Sequence, residues 1–592
     1  MNDAGSEAKQ EVENPPSTGS PATAPTISLT TSLGDYEDRV RAALAEAERN
    51  SVIERIWNKD VALWVTEESQ QKIIRNSLGW LTVAGEMLPV AGELRAFAEA
   101  VRASGEFRHV MVCGMGGSSL CPEVLRQTFG RQENFPELLV LDSTDADAVN
   151  NFRQQIDAGK CLFVIASKSG TTTEPLAFHR FWYNEVAQAS AEPGKSFVTI
   201  TDPGSLMAET AAAERFRRII LNQADIGGRY SALSYFGMAP AALMGLDFEK
   251  LLRAAAAMGE ICRTRAASEN NPAATLGAVM GECALGGRDK LTIVADQKLA
   301  ALGLWVEQLV AESTGKEGKG IVPVVGEPLG PPEAYGADRV FVSIAVGPLE
   351  AETESKLQAL AAAGHPVVYR SLNDLYELGA EFFLWELATA FAGWRLRINP
   401  FDQPNVQESK DATKALLEAY AREGKLPEQT PFAGDGQLTV YTGEPHDAGT
   451  SGLVSEALRA HCARVKPGDY VALLAYLEET PETESQLQAI RTSLRDATRC
   501  ATTTGYGPRF LHSTGQLHKG GPDSGVFIQI TAPDKTDFAV PGETYTFSIL
   551  KDAQALGDFQ SLRKHGRRAI RVDLGSDVLR GLARLRELLA EE

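Results

Sequence analysis

Four short apolar runs, "HVMVCGMGGSS", "ELLVLDST", "CLFVIASKSG" and "SFVTITDPGS", fall within residues 109–205, and each ends in Gly, Ser, Thr or Asp. Segments with helical spacing separate them. Runs this short and continuously apolar must be covered on both faces, which is the requirement of a parallel strand flanked by helices. Further on, "KLTIVADQ", "RVFVSIAVG" and "HPVVYRSL" repeat the pattern, and "YVALLAYL", "GVFIQITA" and "RRAIRVDLG" repeat it again. The chain therefore reads as α/β, with two similar doubly wound parallel-sheet domains and a smaller C-terminal α/β domain. In such sheets ligands bind beyond the carboxyl ends of the strands, where the polar clusters lie.

The length of 592 residues is too great for one hydrophobic core. The reading divides it into a disordered tail at 1–33, a helical N-terminal segment at 34–105, domains at 106–240 and 241–410, helix and linker at 411–439, and the last domain at 440–592. The tail is rich in Pro, Ser, Thr, Ala and Glu and cannot bury enough surface to order itself. It has no apolar core and no Arg-rich amphipathic pattern, so it does not read as a signal or transit peptide. No apolar run is long enough to span a membrane. Seven scattered cysteines without pairing spacing fit a reducing, cytoplasmic setting. A formal net charge of -20 argues against nucleic acid or an anionic membrane as partner. It also means that an anionic substrate must be caught by a local cluster of donors.

Such a cluster exists. "ASKSGTTTEP" (166–175) surrounds Lys168 with Ser167, Ser169, Thr171, Thr172 and Thr173, directly before a helix. Hydroxyls, an ammonium and the free N–H groups of a helix N-terminus make a phosphate site. An exposed capping loop would use similar residues. At the end of the first strand, "GMGGSS" offers Gly117 and Ser118 to the same ligand, although a tight strand–helix turn accounts for it equally well. "GGRYS" presents Arg229, suited to a developing oxyanion or to a solvated turn. In "WVEQLVAESTGK", Gln308 and Glu312 are four apart and share a helix face, with Glu312 near the end that opposes the dipole. "FDQPNVQESK" reads as an irregular connection followed by a helix carrying Lys410.

The hydroxyl-rich loop resembles that of the sugar isomerase (SIS) fold, which holds phosphosugars. "GMGGSS", "ASKSGTT", "GGRYS", "ESTGK" and "FDQPNVQESK" together resemble, over about residues 50–412, the glucose-6-phosphate isomerase (phosphoglucose isomerase) family. They are most similar to the isomerase half of bifunctional transaldolase/phosphoglucose isomerase chains. The N-terminal hundred residues have no room for the ~250-residue barrel a transaldolase half needs, so no transaldolase activity is expected.

The resemblance implies reversible isomerisation of glucose 6-phosphate and fructose 6-phosphate through an enediol, with no metal or other cofactor and with a homodimeric assembly. It implies Glu312 as the base, Arg229 as the stabiliser of the enediolate, and Gln308 and Gln403 as substrate contacts. Ser167, Lys168, Ser169 and Thr172 match the phosphate loop beside Gly117 and Ser118, and Lys410 matches the ring-opening lysine. Asn405 and Gln407 replace the Gly and Glu of the family's last motif. The ring-opening histidine has no motif match. Only His365 lies in the expected interval, while His512 and His518 lie in the Gly-rich "FLHSTGQLHKGG" of the last domain. Each is also readable as a structural histidine, and the expectation is that the C-terminal domain folds over the site and supplies the imidazole. An isomerase that also takes mannose 6-phosphate, and a non-catalytic phosphosugar-binding regulator, are the alternatives.

Overall fold

The structure, a computed structural model, describes residues 29–265, 267, 270–443 and 452–590. Three sheets carry it. In the first, the strands lie in the order Glu137–Leu141, His109–Gly114, Cys161–Ala166, Phe197–Thr201 and Arg218–Leu221, all parallel. In chain order this is 2-1-3-4-5, so the topological switch falls between the ends of His109–Gly114 and Cys161–Ala166. "GMGGSS" and "ASKSGTT" leave from those two ends, which explains why polar residues concentrate there. Cys161–Ala166 is buried throughout, as a central parallel strand covered on both faces must be.

The second sheet repeats the order with Val322–Val324, Lys290–Ala295, Arg339–Val346 and Val367–Leu372. Leu29–Ser32 is added antiparallel at its edge, paired with Val367–Arg370. The end of the expected disordered tail is therefore a strand, because the open edge of the sheet supplies hydrogen-bond partners that composition does not reveal; residues 1–28 lie outside the described residues. The third sheet has parallel strands Ala501–Tyr506, Tyr470–Tyr476, Gly525–Thr531 and Arg568–Asp573, extended by antiparallel Thr439–Tyr441 and Ala433–Gly434.

Two expected divisions fall inside helices. Position 240 lies in Tyr235–Leu243, and position 410 lies in Pro404–Glu423. The latter begins at Pro404 itself, where the missing N–H costs nothing in a first turn. Helices Glu37–Arg49, Val52–Trp57, Glu68–Arg75 and Trp80–Ser104 precede the first sheet and join a core shared with the second.

The C-terminal unit packs on both preceding sheets. Val540, Phe547 and Leu550 join the core around Phe163, Phe178 and Phe181. Tyr470, Ala472 and Phe510 join Ala311, Val322 and Val324. Among the described residues, no helix is long and apolar enough to cross a membrane.

Candidate active site

A cavity of about 310 Å³ opens at the switch point of the first sheet. Its floor is Met115 to Ser118, and one wall is Ser167, Lys168, Ser169 and Thr172. The facing wall is Arg229, Gln308 and Glu312, and Gln403, Lys410 and His512 complete the rim. Residues from five distant motifs thus meet at one place, and His512 is the one expected histidine among them.

The phosphate-type wall is built by local geometry. Gly170 turns at φ +68°, and a β-carbon there would lie 2.8 Å from the amide of Met207. The turn brings Ser167 Oγ to accept from Gly170 N at 3.2 Å and to donate to Thr172 Oγ1 at 3.2 Å. The helix Thr173–Ala187 then starts with no side chain capping it, so the first-turn N–H groups keep their donor capacity for an anion. Lys168 Nζ donates to Asp202 and, at 3.0 Å, to the carbonyl of Ala224. Burial pushes the Asp202 carboxyl up in pKa, and Lys168 opposes that shift.

The floor is set by close packing. A β-carbon on Gly117 would lie 1.9 Å from the carbonyl oxygen of Gly228, so these two glycine turns touch backbone to backbone. Gly228 itself has open space where its β-carbon would be. The clearance that lets "GGRYS" approach is therefore supplied by Gly117, not by the double glycine alone. Gly116, at φ +54°, is wedged between Gln308 Nε2 and the carbonyl of His512.

Arg229 is 3% exposed and its guanidinium is largely committed. Nε donates to Ser313 Oγ at 2.7 Å, and Nη2 to the carbonyls of Pro400 at 2.7 Å and Asp402 at 3.1 Å. Nη1 donates to Gln403 Oε1 at 3.0 Å and lies 3.4 Å from Glu312 Oε1. The Arg229 side chain thus ties Glu312, the Gln403 loop and the helix end together, and Nη1 is the part beside the carboxylate. Gln308 Nε2 donates to Glu312 Oε2 at 3.1 Å and to the carbonyl of His512 at 2.7 Å. Beneath them Lys316 donates to the carbonyls of Asn399 and Asp402 and to Asp402 Oδ1. Burial lowers the Lys316 pKa to about 8, with Asp402 opposing and Arg229 adding to the shift.

The C-terminal unit closes the rim. Gly315 must be glycine because Leu517 Cα would lie 2.4 Å from a β-carbon there, and Gln516 Nε2 donates to the Gly315 carbonyl at 2.9 Å. Gln516 also exchanges hydrogen bonds with Asn405: the Asn405 amide N–H donates to Gln516 Oε1 at 2.8 Å, and Gln516 Nε2 donates to Asn405 Oδ1 at 2.9 Å. The Asn in place of the family's Gly thus has a partner in the added unit. His512 is held by Glu174, with Nε2 2.9 Å from Oε1. Burial alone would raise the Glu174 pKa, but the charge and hydrogen bond of His512, aided by Lys410, bring it below the ordinary value.

His518 and His365 are not part of this cavity. His518 is buried among Tyr470, Phe510 and Phe527, where burial and the neighbouring Lys519 and Arg567 drive its pKa well down. His365 packs edge-on against Phe341 and Tyr335 and faces Arg288, and burial with Arg288 and Arg339 lowers it to about 4. Glu174, Asp202, Ser313 and Asp402 were not singled out from sequence. Among the described residues, Asp145, Asp147 and Asp534 form a further carboxylate group, and Lys551 Nζ bonds two of its members.

Residues 53–322 match the phosphoglucose isomerase family model. Over that span, 270 of the 592 residues, the chain is similar to phosphoglucose isomerases. A glucose-6-phosphate isomerase of Citrifermentans bemidjiense is 27% identical over 436 residues, 64% of this chain and 81% of the relative. One of Rubrobacter xylanophilus is 29% identical over 380 residues, 55% of this chain and 85% of the relative. The crystal structure of a glucose-6-phosphate isomerase from Chlamydia trachomatis has the same fold, with a TM-score of 0.54 at 19% identity, covering 66% of this chain and 88% of that one. A hypothetical protein from Thermus thermophilus aligns with a TM-score of 0.56 at 22% identity, over 66% of this chain and 99% of that one. The phosphoglucose isomerase match spans all of the cavity's residues except Gln403, Val406, Lys410 and His512.

Proposed function

We propose that this chain interconverts glucose 6-phosphate and fructose 6-phosphate in glycolysis and gluconeogenesis, and that the cavity at the first switch point is its active site. One observation carries the assignment of roles: a carboxylate, Glu312, and a guanidinium, Arg229, face an anion cradle across a single cavity of about 310 Å³.

The phosphate docks on Ser167, Ser169, Thr172 and the helix N-terminus, with Lys168, Gly117 and Ser118 beside it. His512 and Lys410, on the opposite rim, serve ring opening. One takes the proton of the C1 hydroxyl while the other gives a proton to the ring oxygen. Glu312 then takes the proton from C2 of the open aldose. The electron pair moves into the C1–C2 bond, and the C1 oxygen acquires negative charge beside the Arg229 cation. Transfer of the C2 hydroxyl proton to the C1 oxygen, with return of the proton from Glu312 to C1, yields the ketose. Each positioned acid or base contributes ~10²–10⁴-fold. Gln308 and Gln403, tied to Glu312 and Arg229 respectively, keep both ends of this pair in place.

The family matches favour this reading over a dual isomerase and over a non-catalytic regulator. A homodimer and a cytoplasmic location belong to the same proposal. The seven cysteines, all buried, fit a reducing compartment, and light scattering reports the assembly. Conversion of fructose 6-phosphate to glucose 6-phosphate by the purified protein in EDTA, alongside mannose 6-phosphate, tests the activity. Absence of conversion would overturn it.

A further inference from the structure

Beyond the cavity, an uncharged pair of side chains stands behind the His512–Glu174 contact. Gln554, on the helix Phe547–Lys564 of the C-terminal unit, donates from Nε2 to Glu174 Oε1 at 2.6 Å. Thr144, in the loop after the strand Glu137–Leu141, donates from Oγ1 to Gln554 Oε1 at 2.7 Å. Thr144, Gln554 and Glu174 are 0%, 2% and 4% exposed. The chain Thr144–Gln554–Glu174–His512 therefore alternates between the first sheet domain and the C-terminal unit at every step.

The direction of each bond is set by chemistry. An ionised carboxylate only accepts, so the Gln554 NH₂ end must face Glu174, and the Thr144 hydroxyl, donating to the amide oxygen, holds the amide in that orientation. The carboxylate, held by that donor, accepts from His512 Nε2–H, which leaves Nδ1 as the ring nitrogen available to substrate. A buried carboxylate without its amide donor would lose one of its two side-chain hydrogen-bond partners.

We propose that Gln554, oriented by Thr144, is a positioning residue for ring opening: it holds Glu174 so that His512 presents one tautomer and one orientation to the sugar. This inference rests on the ring-opening role given to His512 above. It gives the C-terminal unit a second contribution to the reaction besides the histidine itself.

The test compares wild type, Gln554→Met, Thr144→Val and His512→Ala in two assays. One is steady-state conversion of fructose 6-phosphate. The other is NMR exchange between the α and β anomers of glucose 6-phosphate, which requires ring opening and closing but no proton transfer at carbon. For Gln554→Met, kcat falls about 10-fold with KM within about twofold, and anomer exchange slows by the same factor. Thr144→Val shows a smaller loss in both. A folded Gln554→Met enzyme with wild-type anomer exchange overturns the proposal, whether or not kcat falls. Should Gln554→Met lose its native circular dichroism, Thr144→Val carries the test with the same two outcomes. Wild-type exchange in His512→Ala refutes the role of His512 itself. Exchange lost in His512→Ala but unaltered in Gln554→Met refutes only the positioning chain.

Discussion

Gly117→Ala probes the packing on which the site depends. The added β-carbon would lie 1.9 Å from the carbonyl oxygen of Gly228, 2.4 Å from its carbonyl carbon and 3.0 Å from the amide nitrogen of Arg229. An ordinary carbon–oxygen contact is about 3.3 Å, so one backbone segment must withdraw by about 1.4 Å. All three atoms are backbone, and no rotamer change relieves the clash. The segment that must yield carries Arg229, whose side chain is bonded to Ser313, Pro400, Asp402 and Gln403. A displacement of about 1 Å in a positioned group can cost about 10²-fold in rate, and overpacking typically costs about 1–3 kcal/mol in stability. Gly117→Ala is expected to lower kcat/KM for fructose 6-phosphate by about 10²-fold, read by coupled oxidation of the glucose 6-phosphate formed. Gly228→Ala, where the β-carbon meets nothing within 4 Å, serves as the stability control and should unfold at the wild-type temperature. A folded Gly117→Ala protein with more than half of wild-type kcat/KM would refute the reasoning.

Lys168→Ala removes the ammonium beside the anion cradle and leaves Asp202 without its cation; KM for the sugar phosphate should rise by about 10-fold or more, with a smaller change in kcat. His461 is held down to about 4, first by burial and then by Arg464. The unfolded chain therefore takes up a proton between about pH 6.5 and 4 that the folded chain refuses. Its contribution to stability is complete above about pH 6.5 and is lost as pH falls toward 4, so His461→Leu should lose less urea resistance than wild type between pH 7 and 5. All seven cysteines are buried, and burial pushes Cys262 up to about 12. A thiol reagent should find essentially no reactive group in the native protein and seven after denaturation.

The walls of the cavity were legible because each is local in sequence. The glycine and hydroxyl clusters sit at strand ends, and Gln308 and Glu312 are one helical turn apart. What was not legible depends on distant chain segments. Glu174 looks like a first-turn carboxylate answering a helix dipole, and its partner His512 is 338 residues away. Of two histidines six positions apart, one turns into the cavity and the other is enclosed by Tyr470, Phe510 and Phe527; nothing in "FLHSTGQLHKGG" distinguishes them. Asn405 departs from the family pattern in sequence, and only the fold reveals Gln516 as the partner that accounts for it. Leu29–Ser32 is polar enough to read as tail, yet it takes an edge position that only the assembled sheet creates.

The central claim, that Glu312 is the base of a sugar-phosphate isomerase, is tested most directly by turnover of fructose 6-phosphate in Glu312→Gln, with substrate binding measured on the same sample. The account predicts a loss of about 10²–10⁴-fold in kcat with binding retained. Turnover at the wild-type rate in the variant would contradict it.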